Sequence, residues 1–277
     1  MISQHWLSWG LVAFLLLYVA FYMTSMFKKV IAVGRNRGQE RVLGPPSLVP
    51  RLDEAKLEEL TRQMTELGFV QLGEHLSYFR DLRVTQSFVV STPIAAPISE
   101  PGAAPQHQIP ASFDRIFVHL QHGCLGHISI LTIEDVRGEV AAKTWSFIGI
   151  SSFTGTSESD WGYSTSSHRL PANLQASLKL LRTPRGLYIW IPGAAPDQLL
   201  KVHLARRVEI AQAAGITWKS QPTLEDAHEL EDRAMEEMRA FYSRITPLQL
   251  ARQFYPLLLD KKKEWLGELE GCLQAAR

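Results

Sequence analysis

Residues 113–133 read FDRIFVHLQHGCLGHISILTI, and their pattern decides the fold. Phe113, Arg115, Phe117 and His119 share one side of a two-residue period, and Ile116, Val118 and Leu120 share the other. That alternation predicts a β-strand from Phe113 to Gln121. A second strand is predicted over His127 to Ile133. Between them, His122 to Gly126 holds two glycines, Gly123 and Gly126, and suits a hairpin turn. Strands joined so closely run antiparallel.

Working outward, Phe69 to Leu76 and Arg83 to Ser91 read as earlier strands, and Val140 to Ile150 and Gly186 to Ile191 as later ones. Between them, Ser151 to His168 is crowded with Ser, Thr and Gly and reads as loop with at most a short strand. Pro93, Pro97, Pro101, Pro105 and Pro110 crowd residues 92–112, which therefore read as a mobile surface loop, since proline cannot donate to a sheet ladder.

Ahead of the strands, Asp53 is a good N-cap and Leu52 and Leu57 hold the positions of a hydrophobic staple. Leu57, Leu60, Met64 and Leu67 recur at helical spacing, and Gly68 ends the helix. The C-terminal third is helical. Asp197 to Ala214 places Leu200, Leu204, Val208 and Ala211 on one face. Thr223 with Asp226 forms a capping box ahead of a face of Ala227, Leu230, Ala234, Met238, Phe241 and Ile245. Thr246–Pro247 starts a last helix, whose apolar stripe through Leu248, Ala251, Tyr255, Leu258, Trp265, Leu269 and Cys272 is broken by Lys262 and should kink at Pro256. The class expected is α+β: an antiparallel sheet packed with helices, then a helical C-terminal region.

The chain has 277 residues. Residues 1–29 read as a transmembrane anchor, 30–51 as a basic juxtamembrane linker, 52–215 as an α+β domain and 216–277 as the helical region. Trp6 to Phe27 carries no charge and is long enough to cross a hydrocarbon core of about 30 Å. Trp6, Trp9 and Tyr22 suit headgroup depth, and Lys28 and Lys29 end the run. No Lys or Arg precedes Trp6 and no Ala-x-Ala site follows, so a cleaved signal peptide fits poorly. Basic flanks stay cytoplasmic. The expectation is a single-pass protein of the cell (inner) membrane, N-terminus outside and the domain cytoplasmic, with the lipid bilayer as its first partner.

Near-neutral formal charge, +1, and the absence of any aromatic-basic motif exclude a nucleic-acid partner from this reading. No phosphate-binding glycine loop and no Gly-x-Ser-x-Gly elbow occurs, so no cofactor is expected. Four potential metal ligands, His119, His122, Cys124 and His127, lie close together, but their spacing matches no zinc signature and a plain hairpin with surface histidines explains them. Cys124 with His122 or His127 is a candidate thiol pair. Asp160, His168 and one of Ser164, Ser166 or Ser167, in the loop 157–168, are a candidate hydrolase set. Phe153, Thr154, Gly155 and Trp161 are the candidate ligand-binding residues, because loops on a rigid sheet often carry function.

The motifs Leu67, Gly68, Phe69 with Leu72, Gly73; Arg115, Phe117, His122, Gly123; Ser152, Phe153, Gly155; and Leu199, Leu200, His203 resemble a recurrent bacterial family of uncharacterised α+β proteins, often membrane-anchored. The resemblance covers Leu57 to about Gly215. It implies a shared domain and no catalytic residues. The function expected is a membrane-tethered, non-enzymatic binding or interaction module, with a protein partner or self-association through helices 223–275. The alternative is a membrane-bound hydrolase or thiol enzyme.

Overall fold

The computed structural model describes residues 18, 21–28, 30–32, 34–35, 39–49, 52–79, 112–134, 140–157, 160–168, 176, 180–181 and 185–259. The chain is α+β, with a seven-stranded sheet whose strands lie in sequence order: β1 (Gln39–Val42), β2 (Phe69–Phe79), β3 (Ser112–His119), β4 (Cys124–Glu134), β5 (Val140–Phe153), β6 (Gly162–Ser166) and β7 (Gly186–Trp190). The hairpin expected from residues 113–133 is β3–β4, with Phe117 opposite Gly126 and His119 opposite Cys124.

Two features depart from the antiparallel expectation. First, β6 pairs with β7 in parallel, so the sheet is mixed. The sequence GYSTS looks like loop because it is polar, yet Tyr163 and Thr165 are fully buried. Their polar atoms are satisfied inside the fold: Thr165 Oγ1 donates to Tyr163 Oη at 3.0 Å and meets His203 Nδ1 at 3.0 Å. Second, the basic linker contains a strand. β1 pairs antiparallel with β2, and Val49 is buried in the main core. The predicted strand 83–91 and the proline-rich loop, apart from Ser112 at the start of β3, lie outside the described residues.

Helices cover both faces of the sheet. α1 (Glu54–Glu66) is capped by Asp53, whose carboxylate accepts from the Lys56 N–H at 2.9 Å. It buries Leu57, Leu60 and Met64 against Phe69, Phe117 and Ile128, on the face that also receives Leu199 and Leu200 of α2 (Pro196–Ala214). Each such side chain contributes about 1.5–3 kcal/mol by leaving water. Val208 of α2, expected in the apolar face, is exposed. Instead His203 takes a fully buried position, held by Ser152 Oγ at 2.9 Å and stacked on Tyr163. α1 is also tied to the sheet by buried Arg115, which donates to Glu58 at 3.1 Å, Thr61 at 2.7 Å and Glu74 at 3.1 Å.

α3 (Leu224–Arg244) covers the opposite face. Its capping box is complete: the Asp226 N–H donates to Thr223 Oγ1, and the Thr223 N–H donates to Asp226 Oδ2. Ala227 and Leu230 pack on Ile116, Val118, Leu125 and Phe153. Ala234, expected inside, is exposed. α4 (Pro247–Leu259) runs through Pro256, only three residues before its end, so few of its backbone bonds are affected. The stripe expected beyond Leu259 lies outside the described residues.

Most of the apolar run 6–27, including Trp6 and Trp9, also lies outside them, as does Lys29. Among the described residues no helix is long and apolar enough to cross a membrane. Residues 21–28 are helical, with Phe21, Tyr22 and Lys28 exposed. Phe27 and Ile31 are buried against Met238 and Tyr242 of α3, Ile245, and Leu250 of α4. Arg35 donates to the Tyr242 carbonyl at 2.8 Å. The end of the apolar run and the segment after it are therefore packed into the domain rather than hanging from it.

Candidate functional site

A strand turns successive side chains to opposite faces, and that periodicity separates the hairpin candidates. Cys124 lies on the face of α1 and α2, completely buried, and burial pushes its thiol up to about 12. A thiol held that high is not a nucleophile at neutral pH. His127, three residues on, lies on the α3 face. It is half-buried on the sheet face rather than at the hairpin tip, and His119 is buried. His119 and His122 do meet, with ring centroids 4.3 Å apart. Among the described residues no group of three or more His, Cys, Asp or Glu is placed to hold a metal ion.

The Ser/His loop is divided in the same way. Asp160 accepts from Thr154 Oγ1 at 2.9 Å and from the hydroxyl and N–H of Ser157 at 2.6 and 2.8 Å, which hold its carboxyl below the usual range. Ser164 Oγ meets Ser151 Oγ at 2.8 Å, Ser167 accepts from the Ile148 N–H, and His168 stacks flat on Phe147 at 4.3 Å. Asp160 thus closes a turn and does not orient His168.

Of the four residues read as a ligand loop, Phe153 packs beneath α3, and Trp161 packs with Tyr163, Leu187 and Trp218. Thr154 exchanges hydrogen bonds with Trp161 and Asp160. A Cβ on Gly155 would lie 2.5 Å from Asp160 Oδ2. All four are used in closing this corner of the sheet.

A constellation that the sequence reading passed over lies between the sheet and α3. A cleft of about 240 Å³ opens there, with Asp114, His127, Ser129 and Ser151 on its floor and Ala227, Leu230 and Glu231 on its roof. The register explains the floor. Asp114 stands opposite both Ser129 and His75, and His127 opposite both Ile116 and Gly149. Glycine at 149 makes room, since a Cβ would come within 2.0 Å of the His127 ring.

The electrostatics of the cleft follow from burial. Asp114 is largely buried, which raises its carboxyl, although the hydroxyls of Ser129 and Ser112 (2.7 Å) donate to it and oppose the shift. Burial, then the neighbouring charge of Asp114, pushes Glu231 up to about 7, against the pull of Arg41. Arg41, from β1, donates to Glu231 at 2.9 Å, to Asp232 at 2.7 Å and to the His228 carbonyl at 3.1 Å. Burial pushes His127 down. His75 is 2% exposed; burial, then His228 and Arg41, lower it to about 4, so it is neutral at pH 7. Its Nε2 stands 3.9 Å from both Asp114 Oδ2 and Glu231 Oε2, beyond hydrogen-bond reach of either. Both of its ring nitrogens are buried with no hydrogen-bond partner among the described residues.

Two signals pointed here. Asp114 shares the period of Ile116 and Val118, and Glu231 lies one turn from Ala227 on the inward side of α3. A carboxylate in an apolar register is costly unless it is paired or used.

A second, more open hollow of about 500 Å³ lies by the hairpin tip, between His122 and the Arg207–Trp218 pair. Arg207 is already committed there, donating to the His122 carbonyl and lying 5.9 Å over the Trp218 ring.

No family model, curated protein or solved structure matches the chain.

Proposed function

We propose that the chain is a membrane-tethered binding module that holds a small polar ligand in the cleft between the sheet and α3. The apolar run from Trp6 to where Met23, Met26 and Phe27 pack on the domain would be the tether, with the domain on the cytoplasmic side. The observation that carries this reading is the convergence of His75 and Asp114 of the sheet with Glu231 of α3, three polar groups that no single hydrogen-bond network joins among the described residues. Clefts with apolar walls and a few convergent polar groups of shifted acidity are the usual form of a ligand site. The packing of Phe27 and Ile31 on α3 and α4 supports a short, stiff link between tether and site.

Two experiments test it. Carbonate washing of membranes should leave the full-length protein in the pellet; release into the wash would remove the tether. Mass spectrometry of protein extracted from its own membranes in mild detergent should find a retained small molecule, lost when Leu230→Trp crowds the cleft. A retained molecule indifferent to Leu230→Trp, or none at all, would contradict the binding reading.

A second reading has one specific observation in its favour. A carboxyl near 7 beside a second carboxyl is suited to general acid–base catalysis. It would make the chain a hydrolase built on Glu231 and Asp114. The sets based on Cys124 or on loop 157–168 lack the converging geometry such chemistry needs.

A further inference from the structure

The chemistry lining the cleft narrows the ligand. Its polar lining is Asp114 and Glu231 with His127, Ser129 and Ser151, and beside the two carboxyl groups stands the buried His75 ring, whose Nε2 is 3.9 Å from each. One basic group stands nearby, Arg41, and its donors are taken by Glu231, Asp232 and the His228 carbonyl. An anion would therefore meet carboxylates and find no uncommitted cation among the described residues lining the cleft. A metal ion is disfavoured as well, because no metal-binding group of three occurs among the described residues. Ile116, Leu125 and Leu230 supply an apolar part of the wall.

We propose that the cleft binds a small primary ammonium ion carrying a short apolar tail, its charge held by Asp114 and Glu231 beside the His75 ring and its tail laid on Ile116, Leu125 and Leu230. The inference rests on the reading of the cleft as a binding site. An ammonium group offers three donors from one centre. Acceptors too far apart to bond one another are brought together by such a donor between them at about 2.8–3.0 Å. The volume of about 240 Å³ admits a tail of a few carbons and excludes a bulky one.

The occupant must respond to proton concentration. The groups facing Glu231 are Arg41 on β1, His75 on β2, Asp114 on β3, His127 on β4, and His228 and Asp232 on its own helix. Arg41 is raised above its ordinary value and burial lowers His75, His127 and His228, so ionisation of the carboxyl pair sets the charge change that the ammonium group feels. Binding should strengthen as pH rises from 6 to 8.

The probe is n-butylamine, followed by ligand-observed NMR on the full-length protein in detergent micelles, with 1-butanol, butyrate and magnesium chloride as comparisons. Saturable one-to-one binding of n-butylamine is expected. It should weaken at least tenfold in Glu231→Gln and in Leu230→Trp, and be unchanged in Glu229→Gln on the exposed side of α3. Thermal melting identifies any variant that fails to fold, and either cleft variant alone suffices. Butyrate or 1-butanol binding as well as the amine, or magnesium displacing it, would overturn the ammonium assignment while leaving a cleft ligand intact. Binding that no cleft variant weakens, or no binding by any probe, would overturn both.

Discussion

At Gly123 the hairpin turns with φ of 58°, and a Cβ there would lie 2.5 Å from the Ser220 carbonyl oxygen. Both the left-handed backbone and the close approach of another chain segment need glycine. Gly123→Ala should lower stability by about 1–3 kcal/mol, read from urea midpoints. His203 supplies a residue-scale pH dependence. Burial, then Arg207, lowers it to about 3. Below its ordinary value of 6.5 the unfolded chain takes up a proton that the folded chain refuses. Stability from this group is complete above 6.5 and is lost as pH falls toward 3. Replacing His203 with Asn should therefore cost more at pH 7.5 than at pH 5; an equal cost at both would mean that the ring carries charge inside the fold. Asp114 and Glu231 were each visible in the sequence as an acid on an inward face. What could not be read there was that strands β2, β3 and β4 bring His75, Asp114 and His127 under one turn of α3, because register is a property of paired strands.

Among the elements, local chemistry was legible wherever one segment decided its own structure. The cap at Asp53, the capping box at Thr223 and the β3–β4 hairpin all form as their residues dictate. β1 did not announce itself, and β6 showed only as the short strand allowed within Ser151 to His168. β1 is four residues long with one acid and one base, and it is held by partners distant in sequence: Arg41 reaches Glu231 and Asp232 on α3. β6 is polar because its hydroxyls meet Ser151 and His203. The Arg41 contacts give an element-scale prediction. Arg41→Ala leaves Glu231 with burial and the Asp114 charge raising it and nothing from Arg41 opposing them. A carboxyl raised in the folded state resists ionisation, so stability falls as pH rises through its folded value. The variant should lose about 1–3 kcal/mol at pH 8, and less at pH 5.5, where Glu231 is protonated in the wild type. Thermal melts at the two pH values check it. A greater loss at pH 5.5 would show that Arg41 holds β1 by means other than charge.

For the whole molecule, the α+β class and the order of helix, strands and helices followed from hydrophobic period alone. The placement of α1 and α2 on one face and α3 on the other did not, since period marks an inward side without saying which layer lies beyond it. That placement creates the cleft, and it also sets adjacent residues of β5 in different worlds. Ser151 lines the cleft, while Ser152 is 1% exposed beside His203. In a Cys272→Ser background with Cys124 retained in the core, the Ser151→Cys and Ser152→Cys proteins should be exposed, folded, to a small thiol reagent. Rapid labelling of Cys at 151, blocked by Leu230→Trp, and labelling at 152 slowed at least a hundredfold is the outcome expected of an open polar cleft beneath α3. Equal protection of both positions, or equal reactivity, would contradict it.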